Sequence, residues 1–228
     1  MKIRIITALF LFCFLINNAF SNDITSKTYV YKVENKKDNS IERTVYKVRN
    51  KNGHLIIELE SKDNTWTAIQ DGMFTIAWDF NSDKAKIHLE ADRKKKTLSS
   101  ITTDKGKNKT KEKNIDIKEN IPFMNCFEFG FIPFIKNQKL DKMEFYVFRA
   151  DTGELIKMVA TKKDVEKINI MGKDILAIRV EITLAGWMGA FWNSTYWYDK
   201  DTGILVQFKG TLGPPGSPEL FSVLEKIE

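Results

Sequence analysis

Two Asp-Thr-Gly triplets, Asp151-Thr152-Gly153 and Asp201-Thr202-Gly203, are the residues that most directly suggest chemistry. In aspartic proteases two such triplets bring carboxylates together to share a proton and activate water. There each triplet follows an apolar strand directly, whereas here Arg149-Ala150 and Asp199-Lys200 come first, and the two stand too close in sequence to build two lobes. Both suit hairpin turns better, with Asp bonding the backbone and Gly taking positive φ. Asp199, Asp201 and the carbonyls around Gly203 also look like a fragment of a calcium loop, but no further oxygens or later bidentate Glu fall at the required spacing. The two histidines, His54 and His88, lie far apart in sequence, which argues against a metal site or His-based catalysis. Cys126 sits among apolar residues and reads as a small core side chain rather than a nucleophile. The expectation is a protein that is not an enzyme and carries no cofactor or metal, with a hydrolase as the least favoured alternative.

Binding, unlike catalysis, has candidates. In Leu184-Ala185-Gly186-Trp187-Met188-Gly189-Ala190-Phe191-Trp192 the apolar side chains exceed what a strand turn needs. They are read either as core packing or as the mouth of an apolar cavity lined by Trp187, Met188, Phe191 and Trp192. Arg93 to Lys118 is a local excess of positive charge, with Lys105, Lys107, Lys109, Lys111 and Lys113 on alternate positions, projecting from one face if the segment is extended. It is read as a basic hairpin or loop insertion over residues 93–118. Such lysines discourage edge-to-edge aggregation, or attract an anionic lipid surface at ~1 kcal/mol per basic residue. Nucleic acid is not expected as a partner, because stacking aromatics are absent from this stretch.

The elements that must position these residues are nearly all strands. Leu176, Ile178, Val180 and Ile182 alternate with Ala177, Arg179, Glu181 and Thr183, the period-two pattern of a strand with one buried face. Aromatic Trp192, Tyr196, Trp197 and Tyr198 follow, and a turn at Asp199 to Gly203 returns the chain through Ile204, Val206 and Phe208. Upstream, strands are expected around Tyr29 to Val33, Val45 to Val48, Leu55 to Leu59, Phe74 to Phe80 and Ile87 to Leu89. Asn52-Gly53 and Asp71-Gly72 supply hairpin turns between them, and nothing is long enough for a parallel crossover. Met143 to Arg149, Glu154 to Ala160 and Asp164 to Ile170 read as three more, and Leu220 to Ile227 as a last short strand or helical turn.

The exception is Pro122 to Ile135. Phe123, Cys126, Phe127, Phe131 and Phe134 fall on one helical stripe. Asn120 is placed to cap the helix, Pro122 suits its first turn, and Pro133 ends or kinks it. Only Asn125 and Glu128 are polar within its first turns, so the helix is apolar nearly all round and is expected to be buried. Phe127 and Phe131 join the loop aromatics as ligand-binding candidates.

At the start, Lys2 and Arg4 precede an apolar run from Ile5 to Ile16 and then Ala19-Phe20-Ser21, the plan of a cleaved secretory signal over residues 1–21. Residues 22–228 are expected to form one β domain. Of the two cysteines only Cys126 lies in that part, so the fold is expected to stand without an intramolecular disulfide. The balance of 36 basic against 30 acidic side chains is too mild to argue for nucleic acid.

The short apolar helix, the strands around Arg149 and Asp151-Thr152-Gly153, the Val165 to Ile178 segment with Gly172-Lys173, and the closing Trp197 to Gly203 together resemble a family. It comprises bacterial periplasmic domains of unknown function whose sheets look like those of the Lol lipoprotein carriers. The resemblance covers roughly residues 120 to 210 and implies a curved antiparallel sheet around an apolar helix, in the bacterial envelope, with no catalytic residues. The combined expectation is mainly β: a single curved antiparallel sheet, or half-barrel, of roughly ten to twelve strands, with one short apolar helix in its concave side. In function it is a periplasmic or otherwise secreted protein that binds an apolar or amphipathic ligand, lipid among them. The alternative is an envelope interaction module, with a packed interior, that docks a membrane surface or an envelope protein.

Overall fold

A computed structural model describes residues 26–117, 121–150, 152–190, 192–211, 213 and 216–228, with the backbone alone of Met188 and Ala190. The expected leader, Asn120, Asp151 and Phe191 lie outside the described residues. The first eight strands are β1 (Lys27–Asn35), β2 (Ile41–Lys51), β3 (His54–Glu60), β4 (Asn64–Asp71), β5 (Phe74–Ser82), β6 (Ala85–Asp92), β7 (Thr97–Asp104) and β8 (Lys109–Asp116). Two helical turns follow, α1 (Phe127–Gly130) and α2 (Ile132–Lys136). The remainder is β9 (Lys142–Arg149), β10 (Glu154–Ile170), β11 (Lys173–Leu184), a 3-10 turn at Gly186–Ala190, β12 (Asn193–Asp199), β13 (Leu205–Gly210) and β14 (Leu220–Ile227).

All fourteen strands form one antiparallel sheet in the order β8-β7-β6-β5-β4-β3-β2-β1-β14-β13-β12-β11-β10-β9. Two meanders, β1 to β8 and β9 to β14, meet where the first strand pairs with the last: Tyr31 opposes Leu224 and Val33 opposes Ser222. The hairpins obey their turn chemistry. Asn52 (φ 55°) and Gly53 (φ 82°) both take the left-handed conformation that a two-residue primed turn demands.

This topology puts the edge strands β8 and β9 at opposite ends of the sheet. Flat, thirteen spacings of ~4.8 Å would hold them roughly 60 Å apart. Instead Lys113 Nζ on β8 lies 3.4 Å from the Gly153 carbonyl, just past β9. The sheet therefore curls until its edges nearly face each other. Residues 117–141 must join one edge to the other, and the direct route crosses the concave side. A chain taking that route has to be apolar, which is why the Pro122 to Ile135 segment is.

The expected fold class agrees with this sheet, and several details differ. Strands number fourteen rather than ten to twelve. β4 escaped notice because its inward residues Trp66, Ala68 and Gln70 alternate only weakly in hydropathy. β7 and β8 form an antiparallel hairpin that continues the sheet: Leu98 is buried against the core, and all eight residues of β8 are paired with β7. Asp164 to Ile170 is not a separate strand but the end of the 17-residue β10, which has a bulge between Lys162 and Val165.

The helix also starts later than expected, at Phe127, and in two pieces. Residues 122–125 are not helical, because their polar groups bond to strands. Tyr146 N donates to the Pro122 carbonyl (2.7 Å), Met124 N to the Tyr146 carbonyl (2.8 Å) and Thr75 N to the Phe123 carbonyl (2.8 Å). The break between the pieces falls at Phe131, just before Pro133, which stands in the first turn of α2, where its missing N–H costs nothing.

Candidate functional site

The concave face is filled by the segment from Phe123 to Ile135, hereafter the plug. Its lead-in fixes two strands that the sheet order keeps apart. Asn125 N donates to Thr75 Oγ1 on β5 (3.0 Å), and Asn125 Oδ1 accepts from Phe148 N on β9 (3.0 Å). Tyr146 N and Phe148 N would otherwise be open donors on an edge strand, so the same contacts cap the β9 edge.

Beyond the lead-in, aromatic packing takes over. The Phe131 ring lies 5.6 Å from Phe127, 5.9 Å from Phe134, 5.3 Å from Phe145 and 5.8 Å from Tyr198, mostly edge to face. Phe129 contacts Tyr29 and Tyr46 on the other flank. These are the offset geometries that aromatic quadrupoles favour. Phe123, Met124, Cys126, Phe131 and Phe134 are fully buried. Lys162 on β10 donates to the Asn137 carbonyl (2.8 Å) and the Ile135 carbonyl (3.3 Å), closing the end of α2, with its ammonium over the Phe134 ring. Burial lowers its pKa, partly opposed by Asp141.

Glu128 is the charged residue of the plug. Its Oε1 accepts from Tyr46 OH (2.7 Å), and its Oε2 lies 3.7 Å from Cys126 Sγ. Tyr198 OH donates to the Phe127 carbonyl (3.1 Å), and Tyr31 OH to the Leu205 carbonyl (2.7 Å). Burial pushes the phenols of Tyr31, Tyr46, Tyr196 and Tyr198 and the Cys126 thiol well above their ordinary pKa values, and the charge of Glu128 adds to each. All five stay protonated at neutral pH, so this cluster offers no thiolate or phenolate nucleophile.

Three buried donors on the concave side, Gln70 Nε2, Trp78 Nε1 and the Tyr196 hydroxyl, have no protein acceptor within hydrogen-bond distance. Gln70 spends its carbonyl on Thr75 Oγ1 (2.8 Å), and its amide nitrogen faces Gly130, where a Cβ would come within 2.8 Å. The plug thus packs closely against Gln70 while offering these hydrogens no protein acceptor.

The binding candidates separate into two groups. Phe127 and Phe131 meet in the interior, and their ring cluster takes in Phe145 and Tyr196. Trp192 is half-buried, its Nε1 donating to the Gly213 carbonyl (2.9 Å). Trp187 is 78% exposed on the 3-10 turn between β11 and β12. The side chains of Met188 and Phe191 lie outside the described residues.

The five lysines do not share one face. Lys105 and Lys107 sit in the β7–β8 turn with local partners, Lys105 on Asn81 Oδ1 (2.8 Å) and Lys107 on Asp104 (3.5 Å). Lys109, Lys111 and Lys113 stand on β8 opposite Asp104, Thr102 and Ser100. The second Asp-Thr-Gly triplet is a turn, as expected. Asp199 Oδ1 accepts from Thr202 N (2.6 Å) and Thr202 Oγ1 (2.8 Å), and Gly203 has φ 76°. Among the described residues no group of acidic, His or Cys side chains is arranged to hold a metal ion. His88 pairs with Asp79 (2.8 Å) on the convex face.

Sequence reasoning picked out Asn125 and Glu128 only as the polar residues of an apolar segment. That was the available signal, because an isolated polar group in such a segment needs a partner. Their partners Thr75, Phe148 and Tyr46 lie on strands far away in the chain.

Neither a protein-family model nor a curated protein matches the chain. Among solved structures it is similar to the hypothetical lipoprotein YmcC from Escherichia coli (K12), with 14% identity and a TM-score of 0.44 over 91% of this chain and 92% of that one. It is also similar to a "putative outer membrane lipoprotein-sorting protein domain from Vibrio parahaemolyticus", with 9% identity and a TM-score of 0.29 over 91% of this chain and 86% of that one.

Proposed function

We propose that this chain is a non-enzymatic protein of the bacterial envelope that takes an apolar or amphipathic ligand, lipid being the class that fits best, between plug and sheet. The observation that carries this reading is the incompletely satisfied interior. Gln70 Nε2, Trp78 Nε1 and Tyr196 OH stand buried without protein acceptors on the concave side, which holds a plug made of two helical turns of four and five residues. Turns this short have little stability of their own and persist only through packing. An occupant that bears apolar surface and a few oxygen acceptors satisfies the same walls better, and the plug then moves aside as a lid. The leader read from the sequence supports export.

The full burial of Phe123, Met124, Phe131 and Phe134 favours a second reading, an interaction module whose interior stays closed. Native mass spectrometry of residues 22–228, followed by titration with a fluorescent fatty acid, separates the two. Co-purified lipid or saturable uptake is expected. A lipid-free chain that takes up no probe refutes ligand binding and leaves the interaction module.

A further inference from the structure

Cross-strand register extends the concave face to the edge of the sheet. One row of directly opposed residues runs Val48, Ile57, Ala68, Trp78, Leu89, Ser100, Lys113, and its neighbour runs Tyr46, Leu59, Trp66, Phe80, Ile87, Thr102, Lys111. Residues directly opposed in an antiparallel ladder share a face. Lys111 and Lys113 therefore belong to the face that holds the plug, not to the convex surface. Along each row the chemistry passes from aromatic and aliphatic side chains to a hydroxyl and then an ammonium. From Trp78 to Lys113 this takes three strand spacings, ~14 Å.

The three lysines that precede Lys111 and Lys113 on alternate positions are engaged or opposed. Lys105 bonds to Asn81 and the Ser82 carbonyl, Lys107 pairs with Asp104, and Lys109 faces Asp104 across the ladder. Lys111 and Lys113 stand opposite the hydroxyl residues Thr102 and Ser100 in the ladder. Lys113 also reaches toward the Gly153 carbonyl, which places its ammonium at the gap between the two sheet edges.

We propose that Lys111 and Lys113 are the head-group end of the interior site, so that its ligand is an anionic amphiphile whose charged head lies at the β8 rim with its chain along the two apolar rows. The inference rests on the reading that the interior admits a ligand.

Its test uses residues 22–228 and two probes with the same chain, cis-parinaric acid and its uncharged methyl ester. The wild type binds the acid more tightly than the ester. K111Q/K113Q lowers affinity for the acid by about tenfold or more, as expected for two basic groups near an anionic head, and leaves the ester unchanged. The charge-matched control K86Q/K94Q, at exposed positions on β6 and in the β6–β7 turn, binds both probes as the wild type does. Inorganic phosphate at millimolar concentration fails to displace the acid, because the chain and not the anion alone holds it. Equal binding of acid and ester, an unaffected double variant, or displacement by phosphate overturns the head-group assignment while leaving the ligand-binding reading intact. Failure of the wild type to bind either probe overturns both.

Discussion

Replacing Phe131 by Ala tests whether the plug is part of the core. The ring is fully buried and touches four aromatic partners at centroid distances of 5.3 to 5.9 Å. Phe→Ala changes in well-packed cores cost about 3–5 kcal/mol, the lost transfer energy plus the cavity left behind. The upper half of that range applies here, because Phe145 and Tyr198 are anchored on strands and cannot collapse into the void. Urea denaturation followed by tryptophan fluorescence reads the loss as a lower midpoint at unchanged slope. Cys126 supplies an independent local readout: it is buried on the plug and is the sole cysteine of residues 22–228. Reaction of its thiol with a disulfide reagent requires the segment to open, so F131A accelerates labelling by roughly 10²-fold or more, in line with the same free energy. Labelling that requires less free energy than global unfolding shows that the plug opens by itself, as a lid must. A loss below about 1 kcal/mol, or labelling of wild-type Cys126 at the rate of a free thiol, refutes the packed plug.

Two further outcomes follow from the interior. A Cβ at Gly130 would lie 2.8 Å from Gln70 Nε2 and 3.3 Å from Met124, so Gly130→Ala destabilises the chain by about 1–3 kcal/mol in urea melts; a neutral substitution shows that plug and β4 do not pack as described. The raised pKa values of Tyr31, Tyr46, Tyr196, Tyr198 and Cys126 make the folded state the tighter proton binder. Their stabilisation is complete below the unfolded values, about 8.5 for the thiol and 10 for the phenols, and is lost as pH rises beyond them toward the folded values. Stability measured between pH 8 and 11 therefore falls by about 1.4 kcal/mol per pH unit for each group titrating in the unfolded chain, and phenolate absorbance from these four rings appears together with loss of tertiary signal. Their ionisation at the ordinary tyrosine pH, in a chain still folded, contradicts this account.

Much of the sheet was legible because its signals are local. The strand from Leu176 to Thr183 and the turn chemistry of Asn52-Gly53 and Asp199 to Gly203 each depend on neighbours in sequence and appear where expected, but the strand's buried face differs at its start, where Leu176 is exposed and Ala177 buried before Val180 and Ile182 turn inward. β4, β7 and β8 were harder to read because Gln70, Ser100, Lys111 and Lys113 occupy inward positions where alternation leads one to expect apolar side chains. The helical stripe of Pro122 to Ile135 was real as an apolar segment but wrong in its first turn, where Tyr146 and Thr75 capture the backbone groups that a helix would use.

The sequence by itself determined most of the strands, their turns, the antiparallel connections and the burial of one apolar connector, all set by side-chain periodicity and backbone chirality over a few residues. Tertiary structure alone decided that β1 pairs with β14, that the sheet curls until Lys113 reaches Gly153, and that Glu128 finds Tyr46. Those outcomes depend on contacts between residues dozens to nearly two hundred positions apart. They are selected by the summed burial of the whole concave face, a quantity that no short window of residues contains.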